Sequence, residues 1–222
     1  MSEPVGARWE VAAFLGLTAA TGLIDAVSYL KLGHTFVANM TGNVVFLGFA
    51  VAPESGFRLG PPVVAVVGFV LGSLAGGRTA RAMERRPRRW LGTAFGVQAG
   101  VLLICGLLVG LGVLETTGGT SYLLIVALAA CFGLQNATVR HAAPRDMTTT
   151  VLTLTLTGLA ADNTLGNGRP AKPYRRLGSI AAMLAGAAVG ALLLQATTAW
   201  VIVLAGTLVA LAAAIFRLAP AG

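Results

Sequence analysis

Charge is scarce in this 222-residue sequence: 11% of its residues are charged, and only 8 are acidic. Two histidines, two cysteines and 7% aromatics complete the shortages. Each shortage excludes something. A soluble domain needs polar cover for its exterior, and a chain that is 56% hydrophobic with a mean hydropathy of +0.80 cannot supply it. His34 and His141 lie in or beside loops and have no partner at a ligand spacing such as His-x-x-x-His, so no metal site is read. Cys105 and Cys131 both fall in apolar runs and read as small packing residues, not as a disulfide or metal pair. Ser28, Ser73 and Ser179 lack a nucleophile-elbow context, and no phosphate-binding glycine loop with a lysine is present. The reading is therefore not an enzyme, with no cofactor called for. Asn39-Met-Thr41 and Asn136-Ala-Thr138 match the glycosylation pattern, but membrane depth makes them false matches.

What the chain has is long apolar runs. About 20 such residues span a bilayer. Candidates run over 11–32, 36–52, 62–80, 90–114, 122–139, 147–161, 177–194 and 200–218. The first run is too long for a signal peptide, holds Asp25 and lacks a small-residue cleavage site, so it is expected to stay as the first span. The fold class is all-α: a polytopic membrane helix bundle. The net charge of +8 fits basic loops that set topology and meet anionic headgroups of the lipid bilayer. No aromatic-interleaved basic patch argues for nucleic acid.

Two runs are interrupted. Phe36–Gly48 carries Asn39, Thr41, Gly42 and Asn43 in its middle, a poor lipid-facing helix in which Gly42 weakens the turn where polar groups cluster. Irregular backbone at membrane depth survives only where protein or a water-filled cavity covers it. The second, 147–161, is rich in threonine. Gly22-Leu-Ile-Asp-Ala26 matches Gly133-Leu-Gln-Asn-Ala137 at an offset of 111, and Met40-Thr-Gly-Asn43 sits opposite Leu152-Thr-Leu-Thr155 at 112. Gly68, Gly72 and Gly76 match Gly178, Ala182 and Gly186 at 110. The chain thus divides near Glu115 into a first membrane repeat, 1–114, and a second, 115–222, of one membrane domain.

Charge then selects a topology. With six crossings and both interrupted segments returning to the side they entered from, Arg8, the cluster Arg78–Arg89, Arg140, Arg145, Arg169, Lys172, Arg175, Arg176 and Arg217 share one side, with Lys31 and Arg58 opposite. Eight crossings move Arg8, Arg217 and the basic residues at 169–176 outside, against the positive-inside tendency. Seven crossings fit the charges nearly as well but break the repeat. Six crossings in an inverted repeat make this a multi-pass membrane chain, and the expected location is the cell (inner) membrane.

The segments Gly22-Leu-Ile-Asp-Ala-Val-Ser-Tyr29, Phe36-Val-Ala-Asn-Met-Thr-Gly-Asn43, Gly133-Leu-Gln-Asn-Ala137, Met147-Thr-Thr-Thr-Val-Leu-Thr153 and Thr157-Gly-Leu-Ala160 resemble the YoaK-like family of bacterial membrane proteins, a domain-of-unknown-function family. The likeness covers nearly the whole chain. It implies an integral membrane protein of bacterial type and carries no activity.

Function is read from the polar residues themselves. Asp25 lies within the first span, where an ionisable group costs on the order of 2.5–3.5 kcal/mol and is expected to face the bundle interior. It reads as a proton or cation coupling site, or else as a protonated carboxyl bonded to Asn136 or the broken segment. Asn136 takes the equivalent place in the second half, with Gln135 beside it; both suit a solute or interhelical hydrogen bonds. On a helix Thr149, Thr153 and Thr157 share a face, and in an extended stretch Thr153, Thr155 and Thr157 share one side; either way a row of hydroxyls suits a polar solute or ion. Both interrupted segments are expected to present a half-helix N-terminus suited to an anion or carboxylate. Inverted repeats with broken segments in matching positions suggest a transporter or channel-like permease for a small polar solute or ion. The alternative is a non-transporting membrane scaffold or partner-binding protein. Glycines four apart permit close helix approach, within a chain or in a homo-oligomer.

Overall fold

The computed structural model describes residues 5–52, 56, 58–142, 152–162 and 173–220. Its regular elements there are helices: α1 (Ala7–Lys31), α2 (Met40–Phe49), α3 (Gly60–Ala82), α4 (Pro87–Gly110), α5 (Thr120–Ala142), α6 (Leu152–Ala161), α7 (Pro173–Leu193) and α8 (Thr198–Leu218). Local chemistry sets their limits. Prolines open α3 and α4, where a missing N–H costs nothing. The Thr197 hydroxyl accepts from the Ala199 N–H (3.2 Å) to cap α8. After α1 the chain reverses at Gly33, whose φ of +81° favours glycine, and at His34 with φ +54°. The turn Pro53–Ser55, the start of the second interrupted segment with Thr149, and linker residues 163–172 lie outside the described residues.

Among the described residues, six helices are long and apolar enough to cross a membrane by length and composition. With 10 residues each, α2 and α6 reach only about 15 Å, half a hydrocarbon core. Residue neighbours give the directions. Gly186 lies against the Ala19 carbonyl and Gly190 against that of Leu23, so α7 runs parallel to α1. Gly68, Gly72 and Gly76 lie against the carbonyls of Val126, Ala130 and Leu134, so α3 runs parallel to α5. Gly92 meets Arg217, Gly106 meets Val203 and Gly110 meets Ala199, so α4 and α8 are antiparallel. Six crossings satisfy all three pairings. Eight would make α4 and α8 parallel, and seven would set α1 against α7. The bundle is therefore an inverted repeat of three crossings plus one short helix per half.

Its packing obeys the same exchange. α1 packs on α7 as α5 packs on α3, α1 on α8 as α5 on α4, and α2 on α3 as α6 on α7. The boundaries agree: α2 and α6 begin at 40 and 152 and end at 49 and 161, a constant offset of 112. One expectation shifts by a helical turn. The glycines that occupy equivalent places are Gly72 with Gly186 and Gly76 with Gly190, an offset of 114 and not 110. A ladder of small residues four apart matches itself when slid by four, so sequence alone could not choose the register. Gly178 instead faces the Leu15 side chain.

The ends of the bundle differ in charge. The Gly6 N–H donates to the Pro220 carbonyl (3.2 Å). Arg88 donates to the Phe216 and Arg217 carbonyls at 3.3 Å and to that of Ala219. The Trp90 ring stands 6.3 Å from that of His141, in the last turn of α5. The chain ends, the α3–α4 turn and the end of α5 thus share one arginine-rich face. α2 follows α1 at the opposite face, and α6 lies on the arginine-rich side. Apolar side chains such as Val67, Leu71, Ile104, Leu107, Leu184 and Leu192 are exposed on the outside of the bundle, as lipid contact requires.

Candidate functional site

Asp25 sits six residues before the end of α1, about 9 Å inside it. Its side chain is buried. The chain beyond Lys31 turns back to meet it: the Ala38 N–H donates to one carboxylate oxygen (3.3 Å) and the Asn39 amide to the other. α2 starts at the next residue, Met40, and runs outward again. Phe36 stacks on Tyr29 at 5.1 Å and on Phe46 at 5.9 Å, which holds the returning strand of chain between α1 and α2. The positive end of the α2 dipole therefore faces a carboxyl that the protein itself provides. The Asp25 carboxyl thus occupies the place at this half-helix where an anion or carboxylate was expected to bind.

Asn43 is the brace of this turn. Its carbonyl accepts from the Phe36 N–H (2.8 Å) and the Thr35 hydroxyl (3.0 Å), and its amide donates to the Phe36 carbonyl (2.6 Å). One side chain thus satisfies both backbone groups of a residue that has no helical partner, and it is wholly buried in doing so. Gly42, expected to weaken the helix where the polar groups cluster, lies inside α2, which runs through it. Its role is clearance: a Cβ there would lie 2.6 Å from the Phe36 ring. Thr41 is exposed.

The second half reproduces the frame with other chemistry. Thr155, at Asn43 plus 112, is the buried residue of α6, whereas Thr153 and Thr157 are exposed. The inward face of the threonine row is therefore the one bearing Thr155. Thr149 lies outside the described residues. The Asn136 amide donates to the Phe132 carbonyl of its own helix (2.8 Å). Asp162, just past α6, pairs with Arg176 of α7 at 3.0 Å, and Gly158 clears space for that guanidinium.

Between the halves lies a relay that the sequence reading half missed. Gln135 is fully buried; its amide donates to Thr21 of α1 (3.0 Å), and its carbonyl accepts from Gln98 of α4 (2.7 Å). The Gln98 carbonyl oxygen is buried without a partner. Gln98 has no polar counterpart at a repeat offset and no polar neighbour in α4. The one available signal was an amide in mid-span. Asp25 is not bonded to Asn136, and α2 makes no contact with α6 among the described residues. The buried polar groups thus fall into an Asp25–Asn39–Asn43 cluster toward one face, a Thr21–Gln135–Gln98 relay in the middle, and an α6 frame toward the other.

The model of a protein family described as "Protein of unknown function (DUF1275)" matches residues 13–215. The chain belongs to the DUF1275 family. The transmembrane protein YoaK of Bacillus subtilis (strain 168), described as UPF0700, is 29% identical over 149 residues, covering 66% of this chain. The matched stretch is 64% of that relative's length. No solved structure matches the chain. The YoaK-like resemblance carried by Asp25, Met40–Asn43 and Gly133–Asn136 thus stands, and this DUF1275 chain is a multi-pass membrane protein.

Proposed function

We propose that this DUF1275 protein is a permease of the cell's inner membrane for a small polar solute or ion, coupled to a proton through Asp25. The observation that carries it is the buried carboxyl at the N-terminus of α2, inside an inverted repeat with a short helix at the matching position of each half. Membrane folds of this plan put binding groups where broken helices end at depth. In this reading Asp25 exchanges a proton as Asn39 and Ala38 release and regain it. Thr41 and the Thr153–Thr157 face of α6 meet the solute near the surfaces, and the Thr21–Gln135–Gln98 relay bridges the two approaches. The positive-inside tendency puts the arginine-rich face in the cytoplasm.

A second reading, a scaffold that moves nothing, draws support from the saturation of Asn43, whose bonds all stay within the turn. Proteoliposome uptake of labelled anionic, cationic and neutral solutes decides between them, with and without a pH gradient. A permease takes up one class, and Asp25→Asn abolishes the gradient dependence. If no class enters faster than into protein-free vesicles, the scaffold reading stands. If Asp25→Asn matches wild type at every pH, the coupling role is wrong.

A further inference from the structure

The arginine-rich face carries a cavity that has no part in the transport proposed above. It encloses about 430 Å³ and is lined by Met83, Arg88, Arg89, Thr93 and Arg217. Three of five lining residues are cationic, one offers a hydroxyl and none is acidic. That volume falls in the range of small-ligand sites, about 300–1,000 Å³.

The three arginines are not equivalent. Arg88 is committed to the carbonyls of Phe216, Arg217 and Ala219, where it ties the end of α8 to the start of α4. Arg217 is placed by the absence of a side chain. Its stem lies across Gly92, where a Cβ would lie 2.8 Å from Nε, and its guanidinium passes within 3.5 Å of the corresponding point at Gly96. Two small residues in α4 thus form a trough that leads Arg217 over the helix toward Thr93. Arg89 is exposed on the same side. The result is two guanidinium groups and a hydroxyl around one space, with the third arginine fixing the wall. The planar guanidinium fork can donate two parallel N–H bonds to a pair of oxygens of a tetrahedral phosphate, which suits arginine to this ligand.

We propose that this cavity binds a phosphate group, supplied by the headgroup of an anionic lipid or by a free phosphate-bearing anion. Arg89 and Arg217 grip it, Thr93 donates to it, and Gly92 keeps Arg217 in position. Basic pockets between membrane helices on the cytoplasmic side bind lipid headgroups in this way.

The test uses the full-length purified chain. One arm counts phosphatidylglycerol adducts against phosphatidylcholine adducts by native mass spectrometry. The other measures thermal stabilisation by inorganic pyrophosphate in lipid-free detergent. The variant Arg89→Gln/Arg217→Gln is compared with Arg81→Gln/Arg140→Gln, which removes the same charge from exposed arginines of the same face. The expected result is a loss of at least about tenfold in binding for the first pair, the worth of a lost charge-assisted bond, and none for the second. Gly92→Ala weakens binding in the same direction with every charge intact. A response confined to phosphatidylglycerol assigns the headgroup, and one confined to pyrophosphate assigns the free anion. Equal losses in both pairs, or no binding in either arm, would overturn the proposal.

Discussion

The turn from α1 into α2 and its counterpart from α5 into α6 share a frame and differ in charge. Both helices are ten residues long, both pack on the next long helix, and both bury one polar residue at the same register, Asn43 or Thr155. Yet Asp25 stands where the second half has Asn136. Asn43 holds both backbone groups of Phe36 from separate atoms, its carbonyl accepting from the N–H and its amide donating to the C=O, whereas Thr155 offers a single, shorter hydroxyl at that register. What is common to the two halves is backbone packing through glycine. What differs is side-chain chemistry: the carboxyl of Asp25 is matched in the second half by the amide of Asn136.

Substitutions can break this comparison in order of size. A Cβ at Gly72 would fall on the Ala130 carbonyl and one at Gly186 on the Ala19 carbonyl. Gly72→Ala and Gly186→Ala are each expected to cost about 2–3 kcal/mol by overpacking. Unfolding in mixed micelles should show the two equal, and a twofold difference would mean the halves do not share their packing. Asn43→Ala strands the Phe36 N–H and carbonyl and should cost about 2 kcal/mol, against under about 1 kcal/mol for Thr155→Ala. Equal losses would erase the asymmetry. Asp25→Asn keeps the shape but sets an amide against the donors at Ala38 and Asn39, for a loss of about 1 kcal/mol with the gradient effect described above. The smallest effect belongs to Gln98→Leu. It removes the donor to Gln135 but also an orphaned carbonyl, so the two terms offset to within about 1 kcal/mol.

Much of the architecture was legible before any coordinates. Segment lengths and the placement of arginines selected six crossings, because charge asymmetry across a membrane is a strong physical constraint. The offset of 112 already paired Asn43 with Thr155. The side chains were harder. The threonine row offers two faces, and periodicity cannot say which one turns inward. Asn43 reads as a polar residue for a solute until the chain at Thr35–Phe36 is seen folded against it, a contact that depends on the reversal at Gly33 and His34. Gln98 gave no pattern to detect, since an isolated amide has no period.

The three tightest pairings, α1 with α7, α3 with α5 and α4 with α8, each join one half to the other. During synthesis, then, the first half emerges with its glycine faces bare and nothing to close them. It waits for α5, α7 and α8, and a cut near Glu115 would separate interlocked pieces, not modules. A lone half could finish itself only against a second copy threaded upside down.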